Sequence, residues 1–397
     1  MSTSDAGVQP VYVVGSGMTA FGKFPDLALG DLGRMAGAEA LRDAGVRPAQ
    51  IGVIACGTAR SGSLQSRESG VGQLIGWELG IEGAPAYNEK AYCASGALAF
   101  SVAHMALASG THDVALVVGV ERMSTRDGKG RPITSDGMVL EGEQGFSPPA
   151  YYAMAARRHM EVYGTTRSQI AKVAVKNRRA AADNPKAQYR APITEADVVG
   201  AKPVAGPLTL LDCCPTGDGG AALVLVNARG AERLGLDPAI RVGGSAIGSG
   251  YFGDQTRSLT SFRLDRETAR RAYEQAGVGP ADIDVAEVHD SFSVAEIIHY
   301  EDLGFCGPGE GGGLVESGAT ALGGRIPVNT GGGLLNRGHP LGATGVAQLV
   351  ELSDQLRGRS GARQVEGARR ALAQISGGFH EGDFATSGVT ILEGTPS

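Results

Sequence analysis

Short, almost wholly apolar runs punctuate the chain. "VYVVGSG" (11–17), "IGVIACGT" (51–58) and "VALVVGVERM" (114–123) have the length and continuity of strands buried on both faces. Between them, apolar positions recur at helical spacing. Around residues 31–43, Leu32, Met35, Ala36 and Ala40 fall on one face, while Arg34, Glu39, Arg42 and Asp43 lie elsewhere. Buried strands alternating with amphipathic helices predict an α/β fold.

One internal similarity extends that picture. Residues 44–56 read "AGVRPAQIGVIAC" and residues 276–288 read "AGVGPADIDVAEV", with seven of thirteen positions identical at an offset of 232 (276 − 44). Each copy follows an Ala/Arg-rich helix and ends in a strand. Two "GSG" turns, at 15–17 and 248–250, lie at nearly the same offset. A period this long indicates duplicated domains. The expected organisation is two similar α/β halves, residues 1–236 and 237–397, with a segment of about 124–206 inserted in the first. The insertion opens with a stretch rich in Gly, Pro, Ser and charge. Its second part, 151–190, carries Arg157, Arg158, Arg167, Lys172, Lys176, Arg178, Arg179, Lys186 and Arg190 against only Glu161 and Asp183. That local excess is either a solvated helical face or a place for a phosphate-bearing ligand.

Composition narrows the function classes. The 397 residues include 62 Gly but only 5% aromatics, and the net charge is −6. So much Gly beside plentiful Val and Ala indicates tight turns and close helix–sheet approach. The acidic balance argues against a nucleic-acid partner. No apolar run approaches the ~18 residues of a membrane span, and the N-terminus lacks a signal-peptide pattern. Five Cys with no CxxC pair read as reduced thiols of a cytoplasmic protein, and no metal site has ligand spacing. "VVGSGMTA" matches a degenerate dinucleotide fingerprint, but Gly22 and Pro25 interrupt the helix that would have to follow at once.

Four stretches carry candidate chemistry. In "NEKAYCASGALAF" (88–100), Cys93 stands at the head of a small-residue helix, where unpaired N–H groups and the helix dipole favour a thiolate. The other four Cys are read as packing residues. In "VNTGGGLLNRGHPLGATG" (328–345), His339 sits among glycines and Pro340 favours a helix start just after it. In "EVHDSF" (287–292), His289 follows a strand end, and Asp290 either orients an imidazole or, as we expect, caps the next helix. "QISGGFHEG" (374–382) is a strand, paired glycines and His380.

Together these residues resemble the thiolase superfamily over nearly the whole chain. The resemblance rests on "AYCASGALAF", on "NTGGGLLNRGHPLGATG" and on the late Gly-Gly strand. "HDSF" and "GFCGPGEGGGLVESGATALGGRIPVN" are similar to the sterol-carrier-protein-type branch, which includes archaeal acetoacetyl-CoA thiolases and the thiolase-like subunit of phloroglucinol acetyltransferase. The resemblance implies two βαβαβαββ halves in five α-β-α-β-α layers with an inserted loop domain. It implies that Cys93 takes the acyl group from CoA, that His339 activates it and helps hold the thioester oxygen, and that His289 helps form an oxyanion hole. Asn329, Ser291 and His380 are further candidates. Arg157, Arg158, Arg178 and Arg179 would meet the phosphates of CoA, a substrate rather than a bound cofactor. A homodimer or dimer of dimers, and a small OB-fold partner protein, are implied as well.

The pattern departs from the family at one point. Condensation or thiolysis uses a second acid/base, usually a Cys. The two usual places hold Ser291 and the Gln374–Ile375–Ser376 window, and a hydroxyl is a poor base without help. On one reading His289 or His380 takes the part of that thiol. Two other readings stay open: a natural-product-type C-acyltransferase with a non-CoA acceptor, and a non-catalytic acyl-CoA- or lipid-binding subunit.

Overall fold

The computed structural model describes residues 8–60, 69–124, 146–251, 257–380 and 383–394. Most of the Gly/Pro-rich opening of the insertion, residues 125–145, lies outside them. The first half runs β1 (Val11–Met18), α1 (Leu29–Ala44), β2 (Val53–Gly57), α2 (Val71–Glu78), β3 (Ala86–Glu89), α3 (Ser95–Ala108) and β4 (Val114–Arg122). The insertion then contributes α4 (Pro148–Tyr163), α5 (Arg167–Ala182), α6 (Glu195–Gly200) and a small hairpin, β5 (Pro203–Ala205) and β6 (Leu208–Thr209). The half closes with β7 (Asp218–Asn227), and α7 (Ala228–Leu234) leads on. The second half runs β8 (Ile240–Ser249), α8 (Arg263–Ala276), β9 (Val285–Glu287), α9 (Ser293–Asp302), α10 (Gly311–Glu316), α11 (Gly333–Asn336), α12 (Leu341–Leu356), β10 (Arg370–His380) and β11 (Asp383–Gly394).

The strand order β3-β2-β4-β7-β1-β8-β11-β10-β9 reads the same from either end once β1 is matched with β8, β2 with β9, β4 with β10 and β7 with β11. Pairing senses match too. β7 is antiparallel to β1 and β4, as β11 is to β8 and β10, while β2–β4 and β9–β10 are parallel. A parallel bridge from Ala286 to Val328 stands where β3 stands in the first half. The two sheets join only through Tyr12–Arg241 and Val13–Ile240.

The repeated segment folds alike in both copies. Gly45 and Gly277 end α1 and α8 at φ 65° and 69°, the left-handed conformation that a Cβ disfavours. One-turn 3₁₀ helices follow at Pro48–Gln50 and Pro280–Asp282, then strands begin at Val53 and Val285. The two "GSG" segments are not turns as expected. Gly15–Gly17 lies inside β1, and Gly248 and Ser249 end β8. Their glycines let helices sit close to the sheet. A methyl at Gly15 would meet the Ala40 carbonyl oxygen at 2.3 Å, and one at Gly248 would meet the Thr268 hydroxyl of α8 at 2.5 Å.

Three buried clusters define five layers. α1 and α2 cover the outer face of the first sheet through Leu32, Ala36, Ile75 and alternate residues of β4 and β7. α3 and α12 lie between the sheets, where Phe100, Leu107, Val346 and Val350 meet side chains from both. α8, α9 and the inserted α4 and α5 cover the second sheet. Met35, placed on the buried stripe of α1 by its spacing, is 44% exposed, because the stripe runs through Leu29, Leu32, Ala36 and Ala40. No described helix is long and apolar enough to cross a membrane.

Candidate active site

The central helices bring the two halves' reactive residues together. α3 and α12 cross on glycines: a Cβ on Gly96 would meet the Gly342 carbonyl oxygen at 2.8 Å, and one on Gly345 would meet the Ala97 nitrogen at 2.7 Å. Cys93 precedes the first residue of α3 by two positions, and His339 precedes that of α12 by two. Across this contact the Cys93 thiol and His339 Nε2 are 3.3 Å apart.

The turn that carries Cys93 is held from both sides. Tyr92 has a positive φ of 52°. The Ser95 hydroxyl donates to the Tyr92 carbonyl at 2.6 Å and accepts from the Ala91 N–H at 2.9 Å. Behind it stand the late paired glycines. A Cβ on Gly377 would strike the Ala91 carbonyl oxygen at 2.5 Å, and one on Gly378, itself at φ 65°, would strike the Tyr92 ring at 2.2 Å. This close approach turns the Gly378 N–H and the Cys93 N–H toward the Cys93 sulfur, where an acyl oxygen would also lie.

The tautomer of His339 follows from its neighbours. The Thr344 hydroxyl donates its one hydrogen to the Pro340 carbonyl at 2.8 Å, so toward His339 it can only accept. Nδ1, 2.8 Å from that hydroxyl, therefore carries the proton. Nε2 is left as the acceptor facing the Cys93 thiol. Pro340 caps α12 as expected. Glu121 accepts the Gly342 N–H at 3.2 Å and the Ala59 N–H at 2.7 Å, tying the start of α12 to the end of β2.

The resting pair is neutral. Burial pushes the thiol up to about 12 against the pull of the Cys93 and Gly378 N–H groups. Burial, and the Arg337 charge, push His339 down to about 3. The sequence suggested a thiolate at a helix head. Here the first helical residue is Ser95, and desolvation outweighs the helix end. A nucleophilic role for Cys93 would therefore need its proton to pass to His339 as the sulfur attacks. His289 completes the group: its ring centroid is 5.4 Å from that of His339. Donor atoms of Cys93, His289 and His339 all lie within 4.8 Å of one another, the one such convergence among the described residues. Burial holds His289 neutral, and its Nδ1 has no partner among the described residues.

Other sequence candidates fall differently. Asp290 caps a helix, but one distant in sequence: it accepts from Leu334 N–H at 2.6 Å and Leu335 N–H at 3.3 Å in α11. Asn329 shapes the loop rather than facing the thiol. It accepts the Val288 N–H at 2.9 Å and donates to Glu296 at 2.6 Å. The Ser291 hydroxyl is buried and faces that of Tyr152 without meeting it in hydrogen-bond geometry. Ser376 is committed to Asp265 at 2.8 Å. His380 is exposed at the end of β10. Among the arginines, Arg157 donates to the Gly206 carbonyl at 2.9 Å and Arg158 pairs with Glu161. Arg178 is buried against Asn336 and the Ala191 carbonyl. Arg179 stays exposed beside Lys172 and Lys176 at a cavity of about 610 Å³. The basic excess of the insertion is largely matched from elsewhere: Lys172 pairs with Glu316, Lys176 with Glu296, Arg167 with Asp212 and Lys186 with Glu39.

Sequence reasoning missed Thr344, which was legible in principle, one turn into the helix that follows His339. Cys214, read as a packing residue, has its N–H on the Ser291 carbonyl at 2.9 Å, beside the His289 segment.

A cysteine and a histidine carried by two like halves of an α/β fold to one buried point define a thiolase-type enzyme. The chain belongs to the thiolase family: the "Thiolase, N-terminal domain" model matches residues 11–229 and the "Thiolase C-terminal domain-like" model residues 250–393. It is 42% identical to an acetyl-CoA acetyltransferase of Methanothermobacter thermautotrophicus, over 94% of this chain and 97% of that protein. It is 37% identical to sterol carrier protein 2 of Bos taurus, over 91% and 69%. It is 35% identical to the benzoylsuccinyl-CoA thiolase subunit BbsB of Thauera aromatica, over 93% and 94%. Among solved structures, the Ltp2–ChsH2(DUF35) aldolase is similar with a TM-score of 0.81 and 29% identity, covering 97% of this chain and 98% of that one. Human mitochondrial 3-ketoacyl-CoA thiolase shares the fold with a TM-score of 0.75 at 19% identity, over 98% and 99%. The chain is a thiolase-family acyltransferase of the sterol-carrier-protein type.

Proposed function

We propose that the protein transfers acyl groups from acyl-CoA through a thioester on Cys93, in thiolytic cleavage or Claisen-type condensation. The observation that carries this reading is the 3.3 Å contact of the Cys93 thiol with an imidazole whose free nitrogen faces it. His339 takes the thiol proton as sulfur attacks the acyl carbonyl, and returns it later. The N–H groups of Cys93 and Gly378 receive the oxyanion, each such donor being worth about 2.7–4 kcal/mol in the transition state. His289 polarises a carbonyl of the second substrate. CoA is substrate here, and no tightly held cofactor enters the chemistry. Arg179, with Lys172 and Lys176 nearby, is the best placed of the insertion's cations for a CoA phosphate.

The first half spans residues 1–236 and the second 237–397. A second copy docks along β3, an edge strand of the sheet. Tyr87 lies on that strand and Trp77 on α2, which packs against it; they are 47% and 78% exposed. A small OB-fold partner is also proposed, in view of the likeness to the Ltp2–ChsH2(DUF35) aldolase. Five free cysteines suit a cytoplasmic setting.

The test is intact-protein mass after incubation with acetyl-CoA and longer acyl-CoAs, with Cys93→Ala alongside. An adduct on the wild type, absent from the variant and removed by free CoA, is expected. No adduct with any donor would overturn the reading in favour of a binding subunit.

A further inference from the structure

Thiolytic or condensing chemistry needs a second proton carrier at the α-carbon. Ser376 is hydrogen-bonded to Asp265, His380 is exposed, and Ser291 offers only a hydroxyl; His289 is close to Cys93 and His339 and is assigned above to a substrate carbonyl. We propose that Cys214, delivered by the loop ahead of β7, is that acid/base. The proposal rests on the acyl-Cys93 reading above and names the residue that completes it.

Four observations support it. The Cys214 N–H donates to the Ser291 carbonyl at 2.9 Å, and Cys213 bridges Phe292, so this loop lies alongside the His289–Phe292 segment. Cys214 and Cys93 are close enough for their thiolate charges to repel. The Cys214 thiol is half-buried and donates to no acceptor among the described residues, whereas Cys213 donates to the Thr209 carbonyl at 3.3 Å and Cys56 is fully buried. Finally, His289 Nδ1 is buried with no partner among the described residues, and the Tyr152 and Ser291 hydroxyls beside it face each other without hydrogen-bond geometry. Buried polar groups in folded proteins are satisfied, so the His289 nitrogen points to a bound molecule next to the segment that Cys214 lies against. Burial also keeps Cys214 protonated at rest, the state a proton donor needs.

The cleavage step balances as follows. The Cys93 sulfur adds to the β-carbonyl of a 3-ketoacyl-CoA as its proton passes to His339. The Cα–Cβ bond breaks, and its electron pair becomes the enolate of the departing acyl-CoA. The Cys214 S–H bond gives its proton to Cα and leaves a thiolate. Solvent reprotonates that thiolate, and an incoming CoA thiol releases its proton to solvent as its sulfur attacks the acyl-Cys93 carbonyl. Cys93 leaves and regains its proton from His339. Condensation runs the same steps backward.

The experiment separates the half-reactions in Cys214→Ala and Cys214→Ser. Acyl-adduct formation on Cys93 from acetyl-CoA, followed by mass, should stay within about twofold of wild type. Thiolysis of acetoacetyl-CoA and exchange of acetyl-CoA methyl protons with D₂O should each fall about 100-fold or more, the usual worth of general acid–base catalysis. A variant that forms the adduct and keeps both activities overturns the role of Cys214 alone. If both variants lose the adduct, Cys214 is structural and the proposal also fails. A wild type that forms no adduct overturns the underlying acyl-transfer reading instead.

Discussion

Thr344→Val should slow the acylation of Cys93 while leaving the fold in place. The two side chains have nearly the same shape, so the substitution removes one hydroxyl from a buried site. That hydroxyl accepts the proton on Nδ1 of His339 at 2.8 Å and fixes which nitrogen faces the thiol. Leaving a buried donor unsatisfied costs about 1–3 kcal/mol. The loss is larger in the transition state than at rest, because the imidazole is then becoming an imidazolium and its hydrogen bond strengthens. The bond to a charged group exceeds that to a neutral one by about 1–1.5 kcal/mol, so at 1.36 kcal/mol per tenfold acylation should slow by about 5- to 13-fold. The assay is single-turnover adduct formation from acetyl-CoA, read by mass, with a melting curve as control. Thr344→Ser keeps the hydroxyl and should stay near the wild-type rate. Wild-type acylation in Thr344→Val, or equal slowing in both variants, would refute the assignment of the tautomer to this hydroxyl.

Two further outcomes follow from the buried charges. Arg337 and Glu287 pair at 2.8 Å, both fully buried, and Glu287 also accepts the Gly331 N–H at 3.1 Å. Arg337→Met alone should cost about 3–5 kcal/mol in urea unfolding, because it strands a buried carboxylate. Adding Glu287→Gln should recover much of that, and equal instability of single and double variants would count against the pair. Burial raises the Glu121 carboxyl to about 7. A group raised in the folded state contributes stability below its unfolded pKa and loses it as pH rises through the folded value. Glu121→Gln should therefore gain on the wild type between pH 5 and 7, at a slope approaching one proton, or 1.36 kcal/mol per pH unit. A stability difference that is flat with pH would show that Glu121 is ionised throughout.

Local chemistry was the part most readable from the sequence. Gly45 and Gly277 end matching helices because a left-handed cap favours Gly wherever the chain lies, and Pro340 starts α12 for an equally local reason. Long-range partners were not readable. Lys176 looked like a free cation and meets Glu296, 120 residues away (296 − 176). Asp290 looked like a cap for α9 and instead caps α11, because α11 folds back against it. Titration behaviour was hidden for the same reason. A helix head predicts a thiolate for Cys93, but the layers packed over it impose a desolvation that no local pattern encodes.

The symmetry explains why these two residues meet at all. α3 connects β3 to β4, and α12 connects the Val328 bridge to β10, so the two helices occupy matching places in the two halves. Each carries its reactive residue two positions ahead of its first turn. Helices related in this way and packed together in one central layer bring matching positions toward the axis that relates the halves. A cysteine at one position and a histidine at the other are thereby brought into contact, without any loop having to reach for its partner. The distance between them is then a property of how α3 and α12 pack, and Gly96 and Gly345 set it, because no side chain intervenes there. Enlarging either would separate sulfur from nitrogen while each half kept its own fold. The contact of Cys93 with His339 is in this sense carried by the interface between the halves, and neither half holds it alone.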